Sequence, residues 1–297
     1  MISSRTSKKI ALWVLLCAAS AACMAPMQHL SASNEAELIY LDGMEHLAAG
    51  SLLEAEQEFI KLMKMPSYLA LNALARLRLA DAQFQQHKYD EAIETYLSFV
   101  QRHDSNENVP YAIFMVAKAY FELAPSDLFI MPPIHELDLT AVQQARVHLE
   151  RFVRQFPRSR YATEALQLRD QCIELQWANN RYVVHFYFDR KKWIGVVSRL
   201  HQAAQAFPQK AHNVTNYSML AEAYDNLHWR SRAIDMYRAI AARWPDTLAG
   251  QAAPAQVVRL TNEIAQAKSK GEAAEMPAEL PPTAAVKPEQ LADQEGV

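Results

Sequence analysis

The chain is poor in glycine, with six in 297 residues, and none lies in a Gly-rich run. A phosphate cradle of the kind nucleotide-binding loops build is therefore excluded, and a compact alternation of strands and helices is disfavoured. Cysteine is scarce too. Of the three, Cys17, Cys23 and Cys172, none stands in a CxxC or Cys/His metal pattern, and no disulfide framework follows. Cys172, on a helical pattern, reads as a small buried hydrophobe. The ten histidines are dispersed, and Glu45-His46 and His135-Glu136 lack a second ligand pair at metal spacing. No nucleophile is paired with a base, so the expectation is a protein that is not an enzyme, with no cofactor and no metal. Positive charge is not in excess. The net charge of −3 becomes −6 once the leader cations Arg5, Lys8 and Lys9 are removed, which disfavours nucleic acid as a partner. The cationic run Asp189-Arg190-Lys191-Lys192 reads as a solvated corner.

What the chain does have is a repeat. Val183–Pro208 reads as one helix–turn–helix unit anchored on Val196: Val184 lies twelve residues before the anchor, Tyr187 nine before, Trp193 three before, Leu200 four after and Pro208 twelve after. The frame recurs on Ala55 with Gly43, Leu52 and Phe59, on Ala92 with Ala80, Tyr89 and Tyr96, and on Ala233 with Ala221, Tyr224, Tyr237 and Pro245. On Ala145 it has Leu149 and Pro157, while Ala117 and Tyr120 sit further back across an insertion. Small anchors let two antiparallel helices approach, an aromatic fills the space beside them, and proline ends the second helix. The fold class expected is all-α, a tetratricopeptide-repeat superhelical solenoid of five helix–turn–helix units.

In order, residues 1–22 have a basic start, an apolar run from Ile10 to Ala19 and small residues to Ala22, the three parts of an export signal. Two kinds of processing fit. Ser20-Ala21-Ala22-Cys23 resembles a bacterial lipobox, which would make Cys23 the lipidated first residue, and Ala19-Ser20-Ala21 would serve ordinary cleavage. Lipidation is the expectation carried forward, because Cys23 falls where the apolar run ends. Residues 23–34 form a tether, 35–157 hold repeats one to three with an insertion at 124–139, and 158–250 hold a long helix and repeats four and five. Residues 251–269 are expected as a capping helix starting near Ala255, and 270–297, rich in Pro, Ala and Glu, as a disordered tail. The insertion carries the apolar run Leu128, Phe129, Ile130 and Met131. It fits either a fold-back onto neighbouring helices or a partner contact.

Two further stretches carry a family likeness. Gln155-Phe156-Pro157-Arg158-Ser159-Arg160-Tyr161 resembles an aromatic-Pro-x-Ser-x-Tyr step, and Trp193-Ile194-Gly195-Val196-Val197-Ser198-Arg199 a tryptophan followed by small or valine residues and an arginine. Both are similar to the BamD (ComL) family of outer-membrane lipoproteins, which also has an insertion in its third repeat. Ser20, where leucine is usual, the missing proline after the second repeat and the longer acidic tail depart from it.

The resemblance implies a scaffold on the periplasmic face of the outer membrane, anchored by lipid, in the machine that inserts β-barrel proteins. Its partners would be unfolded outer-membrane proteins on the N-terminal repeats, the POTRA portion of the barrel assembly protein on the C-terminal repeats, and other assembly lipoproteins. The family's docking arginine carries over to Arg199, with Trp193 packing beside it. The alternative is a soluble periplasmic tetratricopeptide adaptor of the Tol-Pal or cell-division type. Counting from the anchors, the first helices of repeats one to three place Tyr40, Met44, Asp81, Phe84, Phe114, Lys118 and Phe121 on an inward groove. Such an aromatic-lined groove would suit an extended peptide ending in an aromatic residue.

Overall fold

A computed structural model describes residues 32–65, 68–124 and 138–270. The export signal, Cys23, the tether before residue 32, insertion residues 125–137 and the tail from residue 271 lie outside the described residues. All regular structure among the described residues is helical. The chain divides after Lys88 into two compact units. The first contains α1 (Ala32–Ala49), α2 (Leu52–Met63) and α3 (Leu69–Gln85). The second contains α4 (Tyr89–Arg102), α5 (Val109–Glu122), α6 (Thr140–Gln155), α7 (Ala162–Asp189), α8 (Trp193–Ala206), the single turn α9 (Pro208–Ala211), α10 (Val214–Asn226), α11 (Arg230–Arg243) and α12 (Leu248–Ser269). Within each unit consecutive long helices pack on one another, α5 on α6 across the segment that carries the insertion and α8 on α10 past the single turn α9.

The turns repeat as faithfully as the helices. Gly50, His87, Lys191 and His228 each lie five residues before an anchor, and each has a left-handed backbone, with φ of 77°, 60°, 55° and 59°. In every case the next amide reaches back five residues, as Ser51 to His46, Lys88 to Gln83, Lys192 to Tyr187 and Trp229 to Tyr224. This is the Schellman closure of a helix, and within a unit, at Gly50, Lys191 and His228, it aims the next helix back along the first.

The anchors Ala55, Ala92, Ala145, Val196 and Ala233 are all fully buried. Two glycines show how tightly the hairpins close. A Cβ on Gly43 would stand 2.7 Å from the Phe59 ring, and one on Gly195 would stand 2.9 Å from the Tyr187 ring. These rings anchor the core of each unit: Phe59 with Ile39, Leu62 and Leu79 in the first, Tyr187 with Val197, Leu200, Tyr224 and Leu260 in the second.

Two helix boundaries differ from the sequence expectation. Pro208 does not simply end a helix: α8 stops at Ala206, and Pro208 opens the extra turn α9. The terminal helix starts at Leu248 instead of Ala255 and carries Pro254 inside it. The Thr247 hydroxyl caps that earlier start by accepting from the Gly250 amide at 3.0 Å, and Gly250 packs so closely on the Trp244 carbonyl that no Cβ fits. The helix therefore tolerates the bond lost at Pro254. It is tied back by Arg230–Glu263 at 3.2 Å and by Arg259, which pairs with both Asp225 and Glu263.

Candidate docking surfaces

Phe156, Ser159 and Tyr161 of the first family-like stretch prove to be a packing device between α6 and α7. Phe156 tilts against Phe152 at 5.6 Å, while Tyr161 stacks flat on Phe114 at 5.2 Å and 10°. The Ser159 amide donates to the Phe156 carbonyl at 3.0 Å, and the Ser159 hydroxyl accepts from the Tyr161 amide at 3.3 Å. The short step is thus closed by its own hydrogen bonds and roofed by rings.

That packing corrects the groove reading at two of its seven positions. Phe114 is 2% exposed, held between Tyr161 and Phe152, and so belongs to the core of the second unit. Asp81 is 6% exposed and accepts from Arg78 at 2.6 Å. Burial pulls the Arg78 guanidinium down, but Asp81 and the Tyr40 hydroxyl outweigh it and hold the group above its ordinary value. The pair lies within α3, and the Tyr40 hydroxyl of α1 reaches the same guanidinium. The remaining five, Tyr40, Met44, Phe84, Lys118 and Phe121, are half-buried. Tyr40 leans on Phe59 at 6.2 Å, and Met44 packs on the core of the first unit. In the second unit Lys118 pairs with Glu164 at 3.0 Å and lies 6.0 Å from the Phe114 ring centre.

On α8 the two residues of the second stretch part company. Trp193 meets Phe188 edge-on at 5.5 Å and packs on the core of the second unit, bracing the α7–α8 turn. Arg199 lies one turn along the helix face from Gly195, at the border of the α7–α8 seam. It is half-buried and makes no ion pair or side-chain hydrogen bond with another described residue. By contrast Arg190 lies over Phe186 at 3.7 Å, and Arg232 sits over both Tyr224 and Trp229.

Sequence reading missed Arg78–Asp81, an i,i+3 pair visible once α3 is drawn, and the Lys210–Glu174 pair, which spans 36 residues and leaves no local signal. Among the described residues no group of three or more His, Cys, Asp or Glu could hold a metal ion, and no helix is long and apolar enough to cross a membrane.

Comparison with known proteins adds a family. The family model YfiO, described as an outer membrane lipoprotein, matches residues 32–239. Outer membrane protein assembly factor BamD of Xylella fastidiosa (strain 9a5c) is 25% identical over 205 residues, covering 66% of this chain and 68% of that protein. The protein of the same name from Haemophilus influenzae is 23% identical over 215 residues, covering 71% and 81%. Among solved structures, the TPR2AB domain of yeast Sti1 in its pHSP90 complex aligns with a TM-score of 0.40 at 14% identity, over 80% of this chain and 88% of that one. A tetratricopeptide repeat protein from Parabacteroides merdae aligns with a TM-score of 0.33 at 15% identity, over 80% and 93%. The repeat assignment rests on the shared turn register and buried anchors instead. Because the family model spans well over half of the sequence, from the first described helix into α11, the chain belongs to the YfiO family of outer membrane lipoproteins.

Proposed function

We propose that the protein is a non-enzymatic scaffold for the assembly of outer-membrane proteins, held at the periplasmic face of the outer membrane by a lipid on Cys23. The assembly role rests on its family and on relatives named as assembly factors. In this reading the repeats of α7 to α11 dock on the POTRA region of the barrel assembly protein through Arg199, with Trp193 holding the turn. Tyr40, Met44 and Phe84 in the first unit, and Lys118 and Phe121 in the second, receive unfolded outer-membrane protein, while Asp81 and Phe114 position the helices behind them.

The observation that carries the docking role is Arg199 itself. A half-buried guanidinium without an internal carboxylate has already lost part of its water and gains most from a forked contact supplied from outside. Losing such a pair costs on the order of 2–5 kcal/mol of partner affinity, whereas a surface substitution changes stability by about 0.5 kcal/mol or less. Arg199→Glu is expected to release the barrel assembly protein in a pull-down from detergent-solubilised envelope, with the thermal midpoint nearly unchanged. Retention of the partner at wild-type levels under near-physiological salt refutes the assignment.

A further inference from the structure

The middle of α7, the turn α9 and the start of α10 enclose an open cavity of about 350 Å³. Trp177, Arg181 and His185 line it from one face of α7 at successive turns, Lys210 from α9, and Thr215 and Asn216 from α10. We infer that this cavity is a binding site for a carboxylate carried beside an apolar or aromatic group, presented by a protein partner.

The charge balance selects the ligand. Lys210 donates to Glu174 at 2.5 Å, so its charge is largely answered within the fold. Arg181 is exposed and has no ion pair or hydrogen bond with another described residue. One unanswered cation calls for a single negative charge, and the planar fork of arginine matches a carboxylate in two parallel bonds. A phosphate would bring further negative charge without a second free cation to meet it.

The rest of the wall fits the same ligand. The Thr215 hydroxyl can donate, and the amides at the head of α10 precede its first intrahelical bond. Asn213 is occupied in capping, accepting from the Asn216 amide at 2.9 Å, so the helix start is held in place. Trp177 offers an aromatic wall for the apolar part, its ring braced edge-on by Phe207 at 6.1 Å. The volume is at the small end for ligand pockets, enough for one residue and too little for a large cofactor. Arg199 takes no part in this cavity, so this reading and the docking reading fail separately.

The test uses the full isotope-labelled protein and four probes: N-acetylphenylalanine, its amide, N-acetylaspartate amide and inorganic phosphate. The two carboxylates are expected to shift the Trp177 indole resonance, assigned with Trp177→Phe, saturably at millimolar concentration, with the phenylalanine amide at least about tenfold weaker than the acid. Arg181→Gln, at an exposed position, should weaken the acids about tenfold or more with an unchanged unfolding midpoint, while Arg199→Glu leaves them untouched. Tighter binding of N-acetylphenylalanine points to a chain end as the source, and tighter binding of N-acetylaspartate amide to an acidic side chain. The inference is overturned if neither acid saturates, if amide and acid bind alike, if Arg181→Gln binds as wild type, or if phosphate binds more tightly than both carboxylates.

Discussion

Phe114→Ala separates packing from ligand binding, because the two roles predict opposite outcomes. The ring is 2% exposed, stacks on Tyr161 at 5.2 Å and meets Phe152 at 5.7 Å. Transfer of a side chain of that size is worth about 1.5–3 kcal/mol, and each aromatic contact adds about 0.5–1.5 kcal/mol. The void left behind raises the loss further, so a cost of about 3–5 kcal/mol is expected, in line with large-to-small core substitutions. Phe114→Leu keeps most of the volume and should cost less than about 1.5 kcal/mol. Urea unfolding followed by circular dichroism measures both variants, and hydrogen exchange of the α5 amides localises the loss. If Phe114→Ala unfolds within about 1 kcal/mol of wild type yet loses crosslinking of unfolded outer-membrane protein, the ring serves the ligand and the core assignment is wrong.

Three further outcomes are expected. Lys191→Gly and His228→Gly relieve a left-handed backbone in a side chain that disfavours it, and each should raise the unfolding free energy by about 1 kcal/mol; a loss at both positions would contradict the turn geometry. Cys172 is fully buried and its thiol is pushed up to about 12 by burial, so a thiol reagent at pH 8 should label it only as fast as the protein unfolds. Burial, with Arg151 and Arg232 adding repulsion, holds His148 and His201 below the ordinary histidine value. The unfolded chain then takes up protons first, so stability present above about pH 6.5 declines as the pH falls towards 5. A flat thermal midpoint between pH 7.5 and 5.5 would contradict this, and His201→Gln should reduce the slope.

The repeat was legible in the sequence because it is periodic and local. Four of the five anchors name the residue they need twelve before and four after, Ala145 being offset by the insertion, and every anchor is buried. The placement of Arg199 one helical turn beyond Gly195 follows from the same counting. The exposure of the groove residues does not. An anchor fixes the direction of a helix face, but what covers that face arrives from elsewhere: Tyr161 over Phe114 comes from the step just before α7 and Glu164 against Lys118 from α7 itself, more than forty residues on. The cavity beside Arg181 was equally hidden, since Lys210 and Thr215 reach it from two other elements. The early start of α12 escaped notice because proline is a strong local stop signal, overruled there by the Thr247 cap and the absence of a Cβ on Gly250.

The unbroken helix α7 bears on how such a chain can change over evolutionary time. At 28 residues it is roughly 42 Å long, and it packs against α6 and α8 alike. A hairpin that owns both of its helices can be duplicated or deleted as a cassette, leaving its neighbours a finished edge. Two hairpins that share a helix cannot be edited in that way, because any cut between Ala162 and Asp189 strips a buried face from both. Repeat number should therefore drift at the ends of the array, while the central pair is inherited as one indivisible piece.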